Sequence, residues 1–305
     1  MGMVLDSLFP VFALIVLGVL LKRFKLTNDV FLKTADRLVY FVFFPAMLFW
    51  KIGGADTDKL LDWAYCQAAI LALLVLYIVS LVSIKLFKIT DFQAGTFAQG
   101  CDRFNTYIGM AVILNAAGEE GARYFGILAG LLIPMINIMA VSTLIWYSGR
   151  NIAVHQRLRL TVMSVLSNPL IMGCLAGLLY ARFVNTFPVF LENALALTSM
   201  ATLPLALLSI GAALSFDKLQ GHVKASLLAA GFKLLLLPLV GYFFLRLLNV
   251  SGVPFQITMI FFALPTSTAI YILSSQLNSD TGLASATIVI STLLSFISLT
   301  FVLLL

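Results

Sequence analysis

Two short stretches of this 305-residue chain place polar groups inside otherwise apolar runs. The first reads Gly100-Cys101-Asp102-Arg103-Phe104-Asn105-Thr106-Tyr107-Ile108-Gly109, the second Ala263-Leu264-Pro265-Thr266-Ser267-Thr268-Ala269. Pro265 has no N–H and frees a carbonyl one turn earlier. The hydroxyls of Thr266, Ser267 and Thr268 can re-satisfy that backbone or coordinate a solute. An ordinary proline kink healed by hydroxyls is the competing reading. Asp102 and Arg103 are adjacent opposite charges well inside an apolar run, where ionised groups cost at least ~2.5 kcal/mol and normally have a task. Consecutive helical residues point about 100° apart, so the two do not face each other. Arg103 suits attraction of an anion, and Asp102 suits carrying a proton or helping to hold a cation. The alternative is that both snorkel to the membrane edge or lock neighbouring helices. Asn137, one turn after Pro134, is a cavity or helix-packing polar group. Pro45 and Pro204 are expected to kink their helices toward the midplane. Lys233, five residues before Pro238, is expected to snorkel, with a substrate contact as the alternative.

Catalysis and metal binding find no support in these residues. His155 and His222 both fall in loops, and there is no HExxH pattern and no cluster of acidic residues. Cys66, Cys101 and Cys174 have no ligand spacing and read as buried thiols. No catalytic residue, metal or cofactor is therefore expected, and no nucleotide-binding motif suggests direct use of ATP.

The elements that must position these groups follow from composition. Hydrophobic residues make up 61% of the chain and charged residues 10%, with a mean hydropathy of +1.06. Soluble domains carry roughly 25% charged residues. A soluble enzyme, a nucleic-acid reader and a disordered chain are excluded, and the long continuous apolar runs exclude a transmembrane barrel. What remains is an all-α polytopic membrane protein. Spanning helices are expected near 4–22, 33–51, 60–84, 92–117, 122–147, 160–181, 191–214, 224–245, 254–276 and 283–305. The first run is not expected to be a signal peptide, because Asp6 rather than Lys or Arg precedes it and Lys22-Arg23 rather than a small-residue cleavage site closes it.

Basic residues set the orientation. Twelve fall in loops on one side: Lys22, Arg23, Lys25, Lys33, Arg37, Lys85, Lys88, Arg150, Arg157, Arg159, Lys218 and Lys224. Five fall on the other: Lys51, Lys59, Arg123, Arg182 and Arg246. Positive charge stays cytoplasmic, so a multi-pass protein of the cell (plasma) membrane with both termini outside is expected. The acidic loops with Asp56, Asp58, Asp62, Glu119 and Glu120 then lie outside.

An internal repeat organises the chain. At a shift of 159 residues, Pro10 falls on Pro169, Gly18 on Gly177, Arg23-Phe24 on Arg182-Phe183 and Pro45 on Pro204, among thirteen identities in thirty-nine ungapped positions. The unit is five spans, an odd number, so the second copy enters from the opposite side. The expected organisation is a first repeat over 1–150, a short cytoplasmic connection over 151–159 and an inverted repeat over 160–305. In such folds the solute sits at the midplane between broken helices at equivalent places. At a shift of 160, Asn105-Thr106 falls on Pro265-Thr266.

Asp36-Arg37-Leu38-Val39-Tyr40-Phe41-Val42-Phe43-Phe44-Pro45 resembles the second span of the auxin efflux carrier family. That family holds the plant PIN-type carriers and short bacterial members described as malonate or malate permeases. Asn105-Thr106 with Gly109 resembles its fourth-span crossover, and Ala263-Leu264-Pro265 with the Asp280 turn resembles its end. The resemblance runs over nearly the whole chain. It implies a scaffold from helices 1, 2, 6 and 7, a transport domain from helices 3–5 and 8–10, and crossing broken helices four and nine. It further implies an organic anion held near Asn105 and the Pro265 segment, elevator-like motion and a homodimer. The short Arg150–Arg159 connection favours a bacterial type. Where the family has a proline after the glycine of span four, this chain has Met110-Ala111, so the break there is expected to rest on Asn105 and Gly109.

The sequence thus reads as a secondary transporter of a small organic anion, with no nucleic-acid partner. The expected substrate-binding residues are Arg103, Asn105, Thr106, Gly109, Pro265, Thr266, Ser267, Thr268, Pro45 and Asn137, and Asp102 is the candidate for a coupling proton or ion. Coupling to protons, to sodium or to neither stays open at this level. A carrier of another small solute, a channel or a receptor are the alternatives.

Overall fold

The structure is a computed structural model whose description covers residues 2–54, 63–148, 155–156, 159, 162–163, 166–184 and 186–305. The loop residues Asp56, Asp58, Lys59 and Asp62, together with Arg150, Arg157 and most of the 151–159 connection, lie outside the described residues.

All regular elements among the described residues are helical. They run α1 (Gly2–Arg23), α2 (Asp29–Leu38), α3 (Phe44–Gly53), α4 (Trp63–Leu86), α5 (Asp91–Asp102), α6 (Thr106–Tyr147), α7 (Pro169–Phe183), α8 (Val189–Ala213), α9 (Val223–Gly231), α10 (Leu237–Leu247), α11 (Gly252–Phe262), α12 (Ala269–Gln276) and α13 (Thr281–Leu303). Among the described residues six helical runs are long and apolar enough to cross a membrane; Pro169–Phe183 and Gly252–Phe262 are apolar but shorter. The protein is therefore an all-helical membrane protein. The run α6 is two helices joined across a non-helical kink at Gly118 (φ 59°, ψ −151°), which falls between the expected fourth and fifth spans. That backbone conformation suits glycine, which has no Cβ to clash.

Two expected spans are interrupted by π-helical turns directly before a proline. Val39–Phe43 precedes Pro45, and Phe232–Leu236 precedes Pro238. In each, the N–H after the turn reaches back five residues, Phe44 to Val39 and Leu237 to Phe232. The wider turn makes room for a ring that cannot donate and would clash in a regular helix. Pro45 thus sits in the first turn of α3 rather than at a simple kink. Pro204 lies inside α8, which continues through it.

The chain divides into two compact units. One comprises Met1–Trp63, Tyr107–Ile133 and Leu166–Ala213. Within it α1 packs on α8 and α3 on α7. Gly18 and Gly211 lie against the backbone of Leu208 and Ile15, leaving no room for a Cβ on either helix; small residues allow this approach where lipid supplies no hydrophobic drive. Lys51 is buried and its Nζ pairs with Glu119 Oε1 at 2.6 Å.

The other unit comprises Ala64–Thr106, Pro134–Val165 and Leu214–Leu305. Its central helix is α13, which packs on α9 and α5. Thr287, Ser291, Ser295 and Ser298 are buried on one stripe of α13, while Leu293, Leu294, Phe296 and Ile297 are exposed. Spacings of three and four residues put the hydroxyls on one face. In lipid the apolar face turns outward, and the hydroxyls become available to the interior of this unit.

Candidate functional site

Both polar stretches break a helix, and both breaks lie in the second unit. α5 ends at Asp102, Arg103 turns to an extended conformation (φ −71°, ψ 145°), and α6 resumes at Thr106. α11 ends at Phe262 and α12 resumes at Ala269. The first break therefore spans Arg103-Phe104-Asn105. Gly109, expected to carry it, lies four residues later inside α6 and is buried. The extended conformation at Arg103 does what a proline after Gly109 was expected to do.

The two breaks meet. Asn105 N–H donates to Pro265 O at 2.9 Å, Thr266 Oγ1 donates to Gly100 O at 2.8 Å, and the rings of Phe104 and Phe261 stack edge to face at 4.5 Å. Carbonyls and N–H groups released by each break are thus taken up by the other. α13 supplies the rest: Thr266 N–H donates to Ser291 Oγ at 3.1 Å, and Ser298 Oγ donates to Ala263 O at 2.9 Å. Without such partners, broken backbone in an apolar interior would cost several kcal/mol per group.

Arg103 is held from two sides. Its Nη1 donates to Gln99 Oε1 at 3.2 Å and its Nη2 to Asn137 Oδ1 at 2.7 Å. Asn137 is therefore the group that orients the guanidinium. Asp102, Asn105, Pro265 and Thr266 are buried, whereas Arg103, Thr106, Ser267 and Thr268 are part-exposed. The accessible side chains at the breaks are accordingly one guanidinium and three hydroxyls. Pro45 belongs to the other unit.

Lys233 departs from expectation. It does not snorkel: it is fully buried in the π-helical turn, with Nζ donating to Phe262 O at 3.4 Å and lying 5.6 Å from the Phe261 ring. A cation there faces the negative end of α11.

Sequence reasoning also missed a file of polar residues along α5. Thr96 Oγ1 shares hydrogen bonds of 2.8 Å with both Ser274 Oγ and Ser279 Oγ, and Gln99 Nε2 reaches Ser274 Oγ at 3.5 Å. At the far end, Gln93 Nε2 donates to Asp280 Oδ2 at 3.1 Å, His222 Nε2 lies 3.2 Å from the same oxygen, and Asp280 Oδ1 caps α13 through Leu283 N–H at 2.9 Å. Gln93, Thr96, Gln99 and Arg103 recur every three or four residues, a periodicity that was readable but lay in the half of the span before the obvious charges.

Helices apolar enough to span a bilayer, two of them broken and joined at polar interruptions, define a membrane transporter by architecture. Comparison with known proteins makes the class specific. Residues 3–303 match the membrane transport protein family, and the chain belongs to this family, that of the auxin efflux carriers. It is 23% identical over 299 residues to an uncharacterized transporter of Methanocaldococcus jannaschii, covering 96% of each chain. It is 24% identical over 310 residues to an uncharacterized transporter of Methanothermobacter thermautotrophicus, covering 96% of this chain and 95% of that one.

Proposed function

We propose that the protein is a secondary carrier of a small organic anion, a carboxylate of the auxin or dicarboxylate type, held at the joined breaks of the second unit. The observation that carries this reading is the accessible chemistry there. Arg103 offers a fixed cation, and Thr106, Ser267 and Thr268 offer hydroxyls. The helices α6 and α12 also begin at the breaks, and helix N-termini favour negative charge. Asn105 and Thr266 brace the backbone beside these groups.

In this account ten spans form two inverted five-helix repeats, and the breaks lie at their equivalent positions. The solute moves by elevator-type alternating access, with helices 3–5 and 8–10 as the moving body and helices 1, 2, 6 and 7 as the scaffold of a homodimer. Both termini face outward from the plasma membrane, in keeping with the twelve-to-five distribution of basic residues. The contacts of Asp280 with His222 and with Gln93 fit these three residues lying at one membrane face, which is the cytoplasmic one in this orientation.

A thermal-shift screen of mono- and dicarboxylates on purified protein, with and without sodium, tests the reading. Carboxylates raise the melting temperature and their neutral amides do not, because only a ligand bound to the folded state stabilises it. Stabilisation by the neutral compounds alone would sink the anion assignment.

A further inference from the structure

The first break ends on a carboxyl and the second on an ammonium. Asp102 closes α5 and is 1% exposed; Lys233 donates to the last carbonyl of α11 and is 0% exposed. Among the described residues no group donates a hydrogen bond to either Asp102 oxygen. The neighbouring N–H groups of Asp102 and Arg103 lie near the carboxyl but outside hydrogen-bond geometry, and that of Arg103 goes to Gln99 O at 3.0 Å. Lys233 lies within Coulombic range of Asp102 but not in contact with it. A buried ion pair that merely locks helices closes into direct contact, since only that geometry offsets desolvation. Here α5 packs against the π-helical turn that carries Lys233, and the two groups interact without touching.

We infer that Asp102 and Lys233 form a proton-exchange site that couples solute movement to protons, an inference resting on the carrier reading above. With carboxylate and ammonium both ionised the pair is neutral. Addition of one proton from water to an Asp102 oxygen leaves a neutral carboxylic acid beside the ammonium, and the pair then carries one positive charge. A bound monoanion, a monocarboxylate or a singly protonated dicarboxylate such as hydrogen malonate, restores neutrality. One anion and one proton therefore travel together, and release of the anion on the far side returns the proton to water from the same oxygen. The α5 terminus adds to this: a helix C-terminus disfavours a negative charge and favours a positive one, so a lone carboxylate at Asp102 depends on Lys233.

The charged and titratable groups facing Asp102 are Arg103 and Cys101 from its own segment, Lys233 from the π-helical turn and Tyr77 from α4; those facing Lys233 are Asp102 and Cys101. Arg103 is engaged by Gln99 and Asn137, and Tyr77 by Thr143 at 2.7 Å.

Infrared difference spectroscopy of the purified protein, titrated from mildly acidic to mildly alkaline buffer, reads the pair without any solute. A protonated-carboxyl band that titrates in the wild type, disappears in Asp102→Asn and shifts along the pH axis in Lys233→Gln is the expected result. A band that is absent in the wild type, or unmoved by both substitutions, overturns the inference; where Asp102→Asn fails to fold, Lys233→Gln decides. In proteoliposomes an acid-outside gradient stimulates malonate uptake by the wild type several-fold, and the stimulation ratio falls to about one in Asp102→Asn (a tenfold change in rate corresponds to about 1.4 kcal/mol). Malonate counterflow in the wild type separates the two claims. Its absence counts against the carboxylate site, whereas intact counterflow with no titrating band counts against the proton pair alone.

Discussion

The backbone N–H of Asn105 donates to the carbonyl oxygen of Pro265 at 2.9 Å, so two positions that coincide when the chain is shifted by 160 residues touch in space. Pro265 cannot donate, and its carbonyl has left the helical ladder. Asn105 has left a helix too. Each break thus supplies what the other lacks, and the cost of interrupting a helix in an apolar interior is met locally. The arrangement leaves the part-exposed side chains of Arg103, Thr106, Ser267 and Thr268, beside the N-termini of α6 and α12, to meet a solute.

Arg103 depends on Asn137 for its orientation. Asn137→Leu removes the 2.7 Å acceptor and leaves a guanidinium hydrogen bond unmade, which costs about 1–3 kcal/mol. The expected outcome is a rise of about tenfold in the apparent KM for carboxylate uptake with a smaller change in maximal rate. Asn137→Asp keeps an acceptor and retains protein yield. Arg103→Lys does not substitute, because a point cation cannot bridge Gln99 and Asn137 together. Initial-rate measurements over a range of solute concentrations check this.

Thr266 tests the joint itself. Thr266→Val keeps the shape but leaves Gly100 O without its 2.8 Å donor. A buried acceptor left unpaired costs about 1–3 kcal/mol, so the melting temperature falls. Thr266→Ser restores the hydroxyl and recovers most of the loss. Equal stability of the Val and Ser variants would show that this bond does not hold the breaks together.

Asp280 anchors the other end of the polar file. Its Oδ1 caps α13 and its Oδ2 meets Gln93 and His222. Asp280→Ala removes all three contacts, and loss of an N-cap alone costs about 1 kcal/mol. Asp280→Asn retains the cap acceptor and is expected to fall between wild type and alanine in thermal stability.

Much of this was legible in the chain, for identifiable reasons. Scarcity of charge gave the class, and the breaks at Asn105 and at Pro265 were visible because polar residues and a proline stand out in an apolar run. Other features were hidden because their cause is tertiary. Nothing local says that Lys233 faces inward, since its burial depends on the end of α11 lying beside the π-helical turn. The turn before Pro45 was equally silent, because a proline predicts a disturbance but not the wider helix that accommodates it. The role of Gly109 was overestimated, as glycine marks permission for a break and the extended backbone at Arg103 supplied it instead. Gln99 was missed although its spacing from Gln93, Thr96 and Arg103 is regular, because a single neutral amide carries little weight beside adjacent charges.

Initial uptake of a panel of mono- and dicarboxylates into proteoliposomes, compared between wild type, Asn105→Ala and Pro265→Ala, tests the placement of the solute most directly. Pro265→Ala restores a backbone N–H and favours a continuous helix across the break, and Asn105→Ala removes a buried side chain at the joint, so each disturbs the placement of the groups that meet the solute. Wild type takes up at least one carboxylate, and each substitution lowers its initial rate about tenfold or more at matched protein incorporation. Uptake unchanged in both variants would contradict a solute site at the joined breaks.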